Sequence, residues 1–284
     1  MNEQSIHIKK IPQLSKPIFI AGFDGWGNAL DISTGMVEYL ITRLDAEPFA
    51  DINPDVFYQY NEARPLVNIE AGTIKNNYPP GGSFYTARTG SDSDLVILRA
   101  TEPNLRWYHF SDELFSLCSK LGVETVITLG SMFDNVIHYE RMISCVSSDD
   151  DLFSRLKQKD VIPIYYQGPS AIHSTIQTEG QKKGFRCISL WSHCPYYIEG
   201  ATHFGILSSL CNILAFLCGF ELDTDDLEED WEELNEKIES LIEDDPHIEE
   251  LISDLREKKK KGTLESIKQS LKKGEKVINI KDFL

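Results

Sequence analysis

The chain lacks the short signatures that tie a sequence to a known reaction. Its 284 residues contain no Gly-x-Gly-x-x-Gly, no Gly-Lys-Ser/Thr closing a phosphate loop and no Gly-x-Ser-x-Gly around a nucleophile. Dinucleotide binding, P-loop chemistry and the nucleophile elbow are thus without their usual marks. Six cysteines, Cys118, Cys145, Cys187, Cys194, Cys211 and Cys218, never fall in Cys-x-x-Cys spacing and each stands in apolar surroundings. They read as small buried thiols rather than zinc or redox ligands, and no metal or cofactor is expected. No apolar run approaches the roughly 20 residues of a membrane helix; the longest, residues 205–220, is broken by Ser208, Ser209 and Asn212. The opening MNEQSIHIKK holds no apolar signal region, so a cytoplasmic location without membrane contact is the default expectation. Positive charge is scarce too: 28 Lys and Arg against 45 Asp and Glu leave a net charge of −17. That argues against nucleic acid as the main partner, because phosphate contacts need a basic footprint.

What the chain does have is strand, turn and helix in repeated succession. In IFIAGFDGWGNAL, residues 18–30, an apolar run suited to a strand buried on both faces breaks at Gly22, Gly25 and Gly27. Asn28 can cap the following helix with Asp31 three residues on, and Ile32, Met36, Leu40 and Leu44 mark one helix face. Such a turn can hold an anion on free N–H groups, or it can be purely structural, and Asp24 opposes a phosphate there. Further strands are expected at DVFYQY (55–60), PLVNI (65–69), DLVILRA (94–100), ETVITLG (124–130), PIYYQG (163–168) and FRCISLW (185–191). NNYPPGG (76–82) reads as a loop. Helices are expected from Asn104 to Leu121, burying Trp107, Leu114, Leu117, Cys118 and Leu121, and over 170–183 and 201–220. Strands alternating with helices predict parallel crossovers, hence a three-layer α/β/α sandwich over residues 1–220.

Charge divides the remainder. Residues 221–257 carry 18 acidic side chains against Lys237 and Arg256, while 258–284 carry nine Lys against three acids. Within the acidic part Leu227, Trp231, Leu234, Ile238 and Leu241 alternate spacings of four and three, Pro246 ends the helix, and Ile248, Leu251, Ile252 and Leu255 restart one. This predicts an acidic amphipathic helical hairpin followed by a Lys-rich tail with a last apolar patch at Val277, Ile278 and Ile280. The apolar stripe must cover something, either its own domain or another subunit.

Ligands of parallel α/β sheets bind beyond the strand C-termini, which singles out Asp24 and Trp26, Glu102 and Asn104, Ser131 and Asp134, Pro169 and Ser170, and Ser192, His193 and Tyr196. Nucleophile, base and acid types are all present, without a motif that orders them. His138, Glu140 and Arg141 cluster in VIHYER, where Arg141 can fork onto a carboxylate or phosphate ligand or pair with a nearby acid such as Glu140 or Asp134. The candidate ligand pocket is therefore Asp24, Trp26, Glu102, Ser131, His138, Arg141, Ser170 and His193. His193 and His203 lack a third metal ligand and read as core or cap histidines.

GFDGWGNA, TEPNLRW, LGSMFDNVIHYER, YYQGPSAI and SLWSHCPYYI, in that order, resemble the proteasome assembly chaperone 2 family, its bacterial and archaeal branch included. The resemblance runs from about residue 15 to 220, and the acidic extension is similar to bacterial members. The family's Pro-His-Thr-Arg-Pro stands here as Ile137 to Arg141, its Pro-Thr-Gly-Ile as Pro169 to Ile172, and its Pro-His-Tyr as Pro195 to Tyr197. The resemblance implies a phosphorylase/hydrolase-like α/β/α fold, an oligomer and, for some relatives, a role in assembling proteasome rings. The hydrophobic-tyrosine-any tail of such chaperones stands here as Asp282, Phe283 and Leu284. The expected function is a protein-binding, assembly-chaperone-like homo-oligomer that presents the stripe Leu227, Trp231, Leu234, Ile238 and Leu241 to a proteasome-related partner. The alternative is a phosphorylase- or hydrolase-like enzyme for a small anionic or nucleoside-like substrate at the strand C-terminal edge.

Overall fold

The computed structural model describes residues 4–261 together with 278 and 279. In chain order the elements are β1 (Ile6–Ile8), β2 (Ile18–Asp24), a 3-10 turn (Ala29–Asp31), α1 (Ile32–Arg43), β3 (Glu47–Ile52), α2 (Pro54–Phe57), β4 (Leu66–Glu70), β5 (Thr73–Tyr78), β6 (Gly82–Ala87), β7 (Leu95–Thr101) and α3 (Trp107–Leu121). There follow β8 (Thr125–Asp134), β9 (Ile143–Ser147), α4 (Asp150–Lys157), β10 (Ile162–Pro163), α5 (Ile172–Lys182), β11 (Arg186–Pro195), β12 (Ile198–Glu199), α6 (Phe204–Cys218), α7 (Asp225–Asp244), α8 (Pro246–Lys261) and β13 (Ile278–Asn279).

A nine-stranded sheet in the order β1-β3-β6-β7-β2-β8-β11-β9-β10 forms the middle layer. Its centre, β7-β2-β8-β11, is parallel. Along β2 the side chains alternate: Phe19, Ala21 and Phe23 enter the hydrophobic cluster beside α3 and α5, while Ile20 enters the one beside α1 and α6. A strand with apolar groups on both faces needs helices on both, and that is the three-layer sandwich the sequence predicts. Gly22 lets α1 lie close, since a Cβ there would stand 2.4 Å from the Ser33 carbonyl oxygen.

The edges differ from an all-parallel sheet. β1, β3 and β6 run antiparallel to their neighbours, as does β9 against β11. DVFYQY is no strand: Asn53 accepts a hydrogen bond from the Asp55 amide at 3.1 Å and Pro54 occupies the first helical position, so α2 forms instead. PLVNI does form a strand, β4, but it pairs with β5 in a separate two-stranded sheet, and β5 takes up Asn76 to Tyr78 of the expected loop. In PIYYQG pairing stops after Pro163, and the tyrosines stand in an exposed loop. All six cysteines are buried and free, and burial raises the thiols of Cys145 to about 11 and of Cys187, Cys211 and Cys218 to about 12.

The stripe on α7 faces the chain's own body. Leu227, Trp231, Leu234 and Ile238 are buried and Leu241 is partly so, in the same cluster as Ile20 of β2 and Leu214 of α6, with Ile248, Ile252 and Leu255 of α8 added. Of the two coverings open to it, the stripe takes its own domain, so the expectation that these five residues meet a partner is corrected: that surface is spent within the chain. Beyond residue 261 only β13 is described, where Ile278 and Asn279 pair in parallel with Ile198 and Glu199. The rest of the Lys-rich tail, with Val277, Ile280 and the final Asp282, Phe283 and Leu284, lies outside the described residues.

Candidate functional site

The strand ends converge as expected, but most of the polar groups there are bound to one another. Glu102, just past β7, accepts the Ile172 amide at the start of α5 at 2.7 Å and the Trp26 amide in the glycine turn at 3.3 Å. A carboxylate on a helix N-terminus already supplies the negative charge that site favours. Asp24 is exposed, with Oδ1 3.4 Å from Nδ2 of Asn28. Asn28 also accepts the Thr34 amide at 3.2 Å, bridging the strained turn in which Leu30 and Asp31 adopt positive φ. Ser131 is fully buried and donates to the Ala29 carbonyl at 2.8 Å, tying β8 to the same turn. Trp26 projects into solvent, 60% exposed, and Ser170 is exposed in the loop before α5.

His138 and Arg141 lie apart from that edge, under α7. The Arg141 guanidinium forks onto Glu228 through two contacts of 2.6 Å, and Ser208 of α6 donates to the same carboxylate. The hydrogen bond from Arg141 holds Glu228 below its ordinary value. His138 is buried between Tyr197, whose hydroxyl lies 2.8 Å from Nδ1, and Glu239 of α7, 2.8 Å from Nε2. The Glu239 carboxylate only accepts, so Nε2–H donates to it, and Nδ1 of the neutral ring accepts from the Tyr197 hydroxyl, which in turn accepts the His138 amide. Burial lowers the His138 pKa despite the Glu239 contact. His203 donates from Nε2 to the His138 carbonyl at 2.6 Å, accepts the Ile206 amide on Nδ1, and stacks on Trp231 at 4.2 Å. Burial depresses it to about 4. Arg141 therefore pairs with an acid, as one sequence reading allowed, but the acid comes from the helical extension rather than from Glu140 or Asp134. Glu140 is bonded by Lys259 of α8.

His193 joins a third group. Its Nδ1 lies 2.6 Å from Asp134 of β8 and its Nε2 2.8 Å from the hydroxyl of Ser144 on β9. Burial works to raise the Asp134 carboxyl, yet hydrogen bonds from His193 and the Asn135 amide hold it below the usual carboxylate range. The contact order is that of a Ser-His-Asp relay. Ser144 is buried, however, and β9 is paired there on both flanks, with Trp191 of β11 and Ile162 of β10. Sequence reading marked Asp134 and His193 but missed Ser144, which sits in a strand without a turn or motif to advertise it. Glu228 and Glu239 were equally hidden, two among many acids on one helix.

Two clefts open nearby. One of about 380 Å³ is lined by Leu30, Asp31, Phe133 and residues 199–202, and one of about 270 Å³ by Arg141, Ile143, Lys159, Asp160, Ser209, Asn212 and Ile213. The first is acidic and contains none of the eight candidate residues. The second contains Arg141, whose charge Glu228 already engages. No cluster of three metal-ligating side chains occurs among the described residues, and no helix among them is long and apolar enough to cross a membrane.

An α/β/α sandwich with a parallel centre, antiparallel edges and an acidic helical hairpin closed over a His and Arg motif defines one class of protein. The chain matches the PAC2 family over residues 19–242 and belongs to it. Among solved structures it is similar to a PAC2 family protein of Streptomyces avermitilis, at 26% identity and TM-score 0.72 over 83% of this chain and 99% of that one. The proteasome-assembly chaperone homologue of Mycobacterium tuberculosis is similar at 25% identity and TM-score 0.74, again over 83% and 99%. A Corynebacterium glutamicum protein of unknown function superposes with TM-score 0.82 at 20% identity, over 91% and 98%. No curated protein matches the sequence significantly.

Proposed function

We propose that the protein is a protein-binding module of the assembly-chaperone type, self-associating and acting on proteasome-related subunits where its host possesses them. One contrast carries this reading. His138, Arg141 and His193, the cationic and imidazole groups that suggested small-molecule chemistry, are engaged by other side chains at 2.6–2.8 Å, whereas Trp26, Tyr108, Tyr165 and the apolar side chains of β4 and β5 stand in solvent. Exposed aromatic and aliphatic side chains are the raw material of protein interfaces. The likeness to a proteasome-assembly chaperone homologue supports the same class of partner. Isolation of the tagged chain from its own host at native levels is expected to recover proteasome subunits near equal stoichiometry by mass spectrometry. Recovery of the chain without them, from a host that encodes them, overturns the partner assignment.

A second reading, hydrolysis by acyl transfer, rests on the Ser144, His193 and Asp134 relay alone. In that reaction Ser144 Oγ would attack an ester carbonyl, passing its proton to His193 Nε2 and on to the leaving alcohol, and water would then release the acyl group. A fluorophosphonate probe decides between the two. Adduct on Ser144 that disappears in His193→Ala favours hydrolysis, and no adduct leaves the relay as a clamp joining β8, β9 and β11.

A further inference from the structure

The cleft of about 270 Å³ beside Arg141 collects polar side chains that the fold does not use. Its walls come from the turn after α4, the start of β9 and one face of α6. The backbone fixes that turn: the Val161 amide returns to the Leu156 carbonyl at 3.3 Å, the Asp160 amide to the Lys157 carbonyl at 3.2 Å, and Asp160 takes a φ of 59°. These are the paired bonds of a left-handed helix stop, and Asp is among the few side chains that tolerate such a φ. Two neighbouring and opposite charges, Lys159 and Asp160, are thereby set on one wall. The Lys159 ammonium stands 4.8 Å from the centre of the Phe216 ring on α6, which steadies it. α6 adds Ser209, Asn212 and Ile213, an i, i+3, i+4 set and so a single helix face.

Charge in the cleft is balanced. Arg141 and Lys159 are positive, whereas Asp160 and the Glu228 carboxylate bound to Arg141 are negative. Glu228 engages only two N–H groups of a guanidinium that carries five. Among the described residues no hydrogen bond or ion pair engages the Lys159 ammonium, the Asp160 carboxylate, the Ser209 hydroxyl or the Asn212 side-chain amide. A bare phosphate or carboxylate would meet the Asp160 and Glu228 charges, and a simple amine those of Arg141 and Lys159. A ligand with both signs a few bonds apart meets neither penalty, and residues 159 and 160, with Cα atoms about 3.8 Å apart, offer both signs at that scale. Ile143 and Ile213, both buried, line the same cleft and give an aliphatic group an apolar surface. The volume lies just below the range of drug-sized pockets, which suits a ligand of about ten heavy atoms and excludes a nucleotide.

We propose that this cleft binds a free α-amino acid with an aliphatic side chain, its carboxylate on Lys159 and the unspent N–H groups of Arg141, its ammonium on Asp160, and its side chain against Ile143 and Ile213. Ser209 and Asn212 complete the hydrogen bonding of the two charged groups. The site is separate from the exposed surfaces that support protein binding, so it gives the module a small-molecule input whose failure leaves the partner assignment untouched.

Isothermal titration calorimetry on the full chain tests this, with L-leucine as the probe and two analogues, isocaproate lacking the ammonium and isoamylamine lacking the carboxylate. L-Leucine is expected to bind, and each analogue to bind at least about tenfold more weakly. Asp160→Asn removes the charge and keeps a residue suited to the left-handed turn; it is expected to bind L-leucine no better than isocaproate. Lys159→Gln is expected to bind L-leucine no better than isoamylamine. Both positions are exposed, so circular dichroism and melting are expected to stay as in the wild type. No heat from L-leucine, L-valine or L-isoleucine at millimolar concentration overturns the proposal, as does binding that both variants leave unchanged. Isocaproate that binds the wild type as tightly as L-leucine overturns the role of Asp160.

Discussion

Two imidazoles, His173 and His203, are held neutral by burial, both depressed to about 4. His173 donates to the Leu129 carbonyl at 2.8 Å with its ring against Phe23 and Trp191, and His203 is sandwiched by the His138 carbonyl and Trp231. In the unfolded chain each protonates near 6.5. Between those two values the unfolded state binds more protons, so stability is complete above about pH 6.5 and falls as pH drops toward 4. The loss is of order a few kcal/mol per group. Urea unfolding is expected to show a midpoint clearly lower at pH 5 than at pH 7, and His203→Gln is expected to reduce that difference, leaving the share of His173. An unchanged midpoint would show that the imidazoles are not buried neutral. Asp134 and Glu228, held low in the fold, lose their contribution only in a more acidic window. At this scale the sequence exposed half of each contact. His138 and Arg141 stood out as a polar cluster, whereas Glu239 and Glu228 lie 101 and 87 residues away, and nothing local distinguishes them from neighbouring acids.

Among the elements, α7 shows what a hydrophobic pattern does and does not contain. The four-three spacing of Leu227, Trp231, Leu234 and Ile238 fixes the width and direction of an apolar stripe. It is silent on which surface the stripe meets, because α6, a second subunit and a client all present apolar ground. Burial of Trp231 between His203 and Arg141 answers that question here. Truncating it opens a cavity and removes the ring from both, so Trp231→Ala is expected to cost about 3–5 kcal/mol in chemical denaturation. Glu232→Lys on the exposed face is expected to stay within about 0.5 kcal/mol. Equal effects from the two would contradict the docked arrangement. The central strands were legible for the same reason that α1 and α3 were: long periodic apolar runs. Strands β3, β6 and β9 escaped, since Glu47, Pro48, Gly82 and the serines at 144 and 147 leave short segments without a strong period.

For the whole molecule, packing and charge follow different boundaries. The charge pattern changes abruptly after Phe220, yet one hydrophobic cluster contains both Ile20 and Leu255. Composition suggested a body with an appendage. The folded chain instead uses the appendage as part of the layer that covers α6, and its acids as partners for the body's cations and imidazoles. The three-layer class was readable because alternation of strands and helices dictates layers. The hairpin of β4 and β5 was not, because its apolar residues look like those of a core strand, and only the folded chain shows that among the described residues they stand exposed in a sheet of their own.

The forked contact between Arg141 and Glu228 also links two distant stretches in heredity. A lineage that loses the guanidinium leaves a half-buried carboxylate against Ser208 with its charge unmatched, and a lineage that first loses the carboxylate strands the guanidinium beside Trp231. Each step alone is expected to loosen the docked helix, so the two positions are expected to change as a couple, with the acidic helix tied to a motif 87 residues upstream.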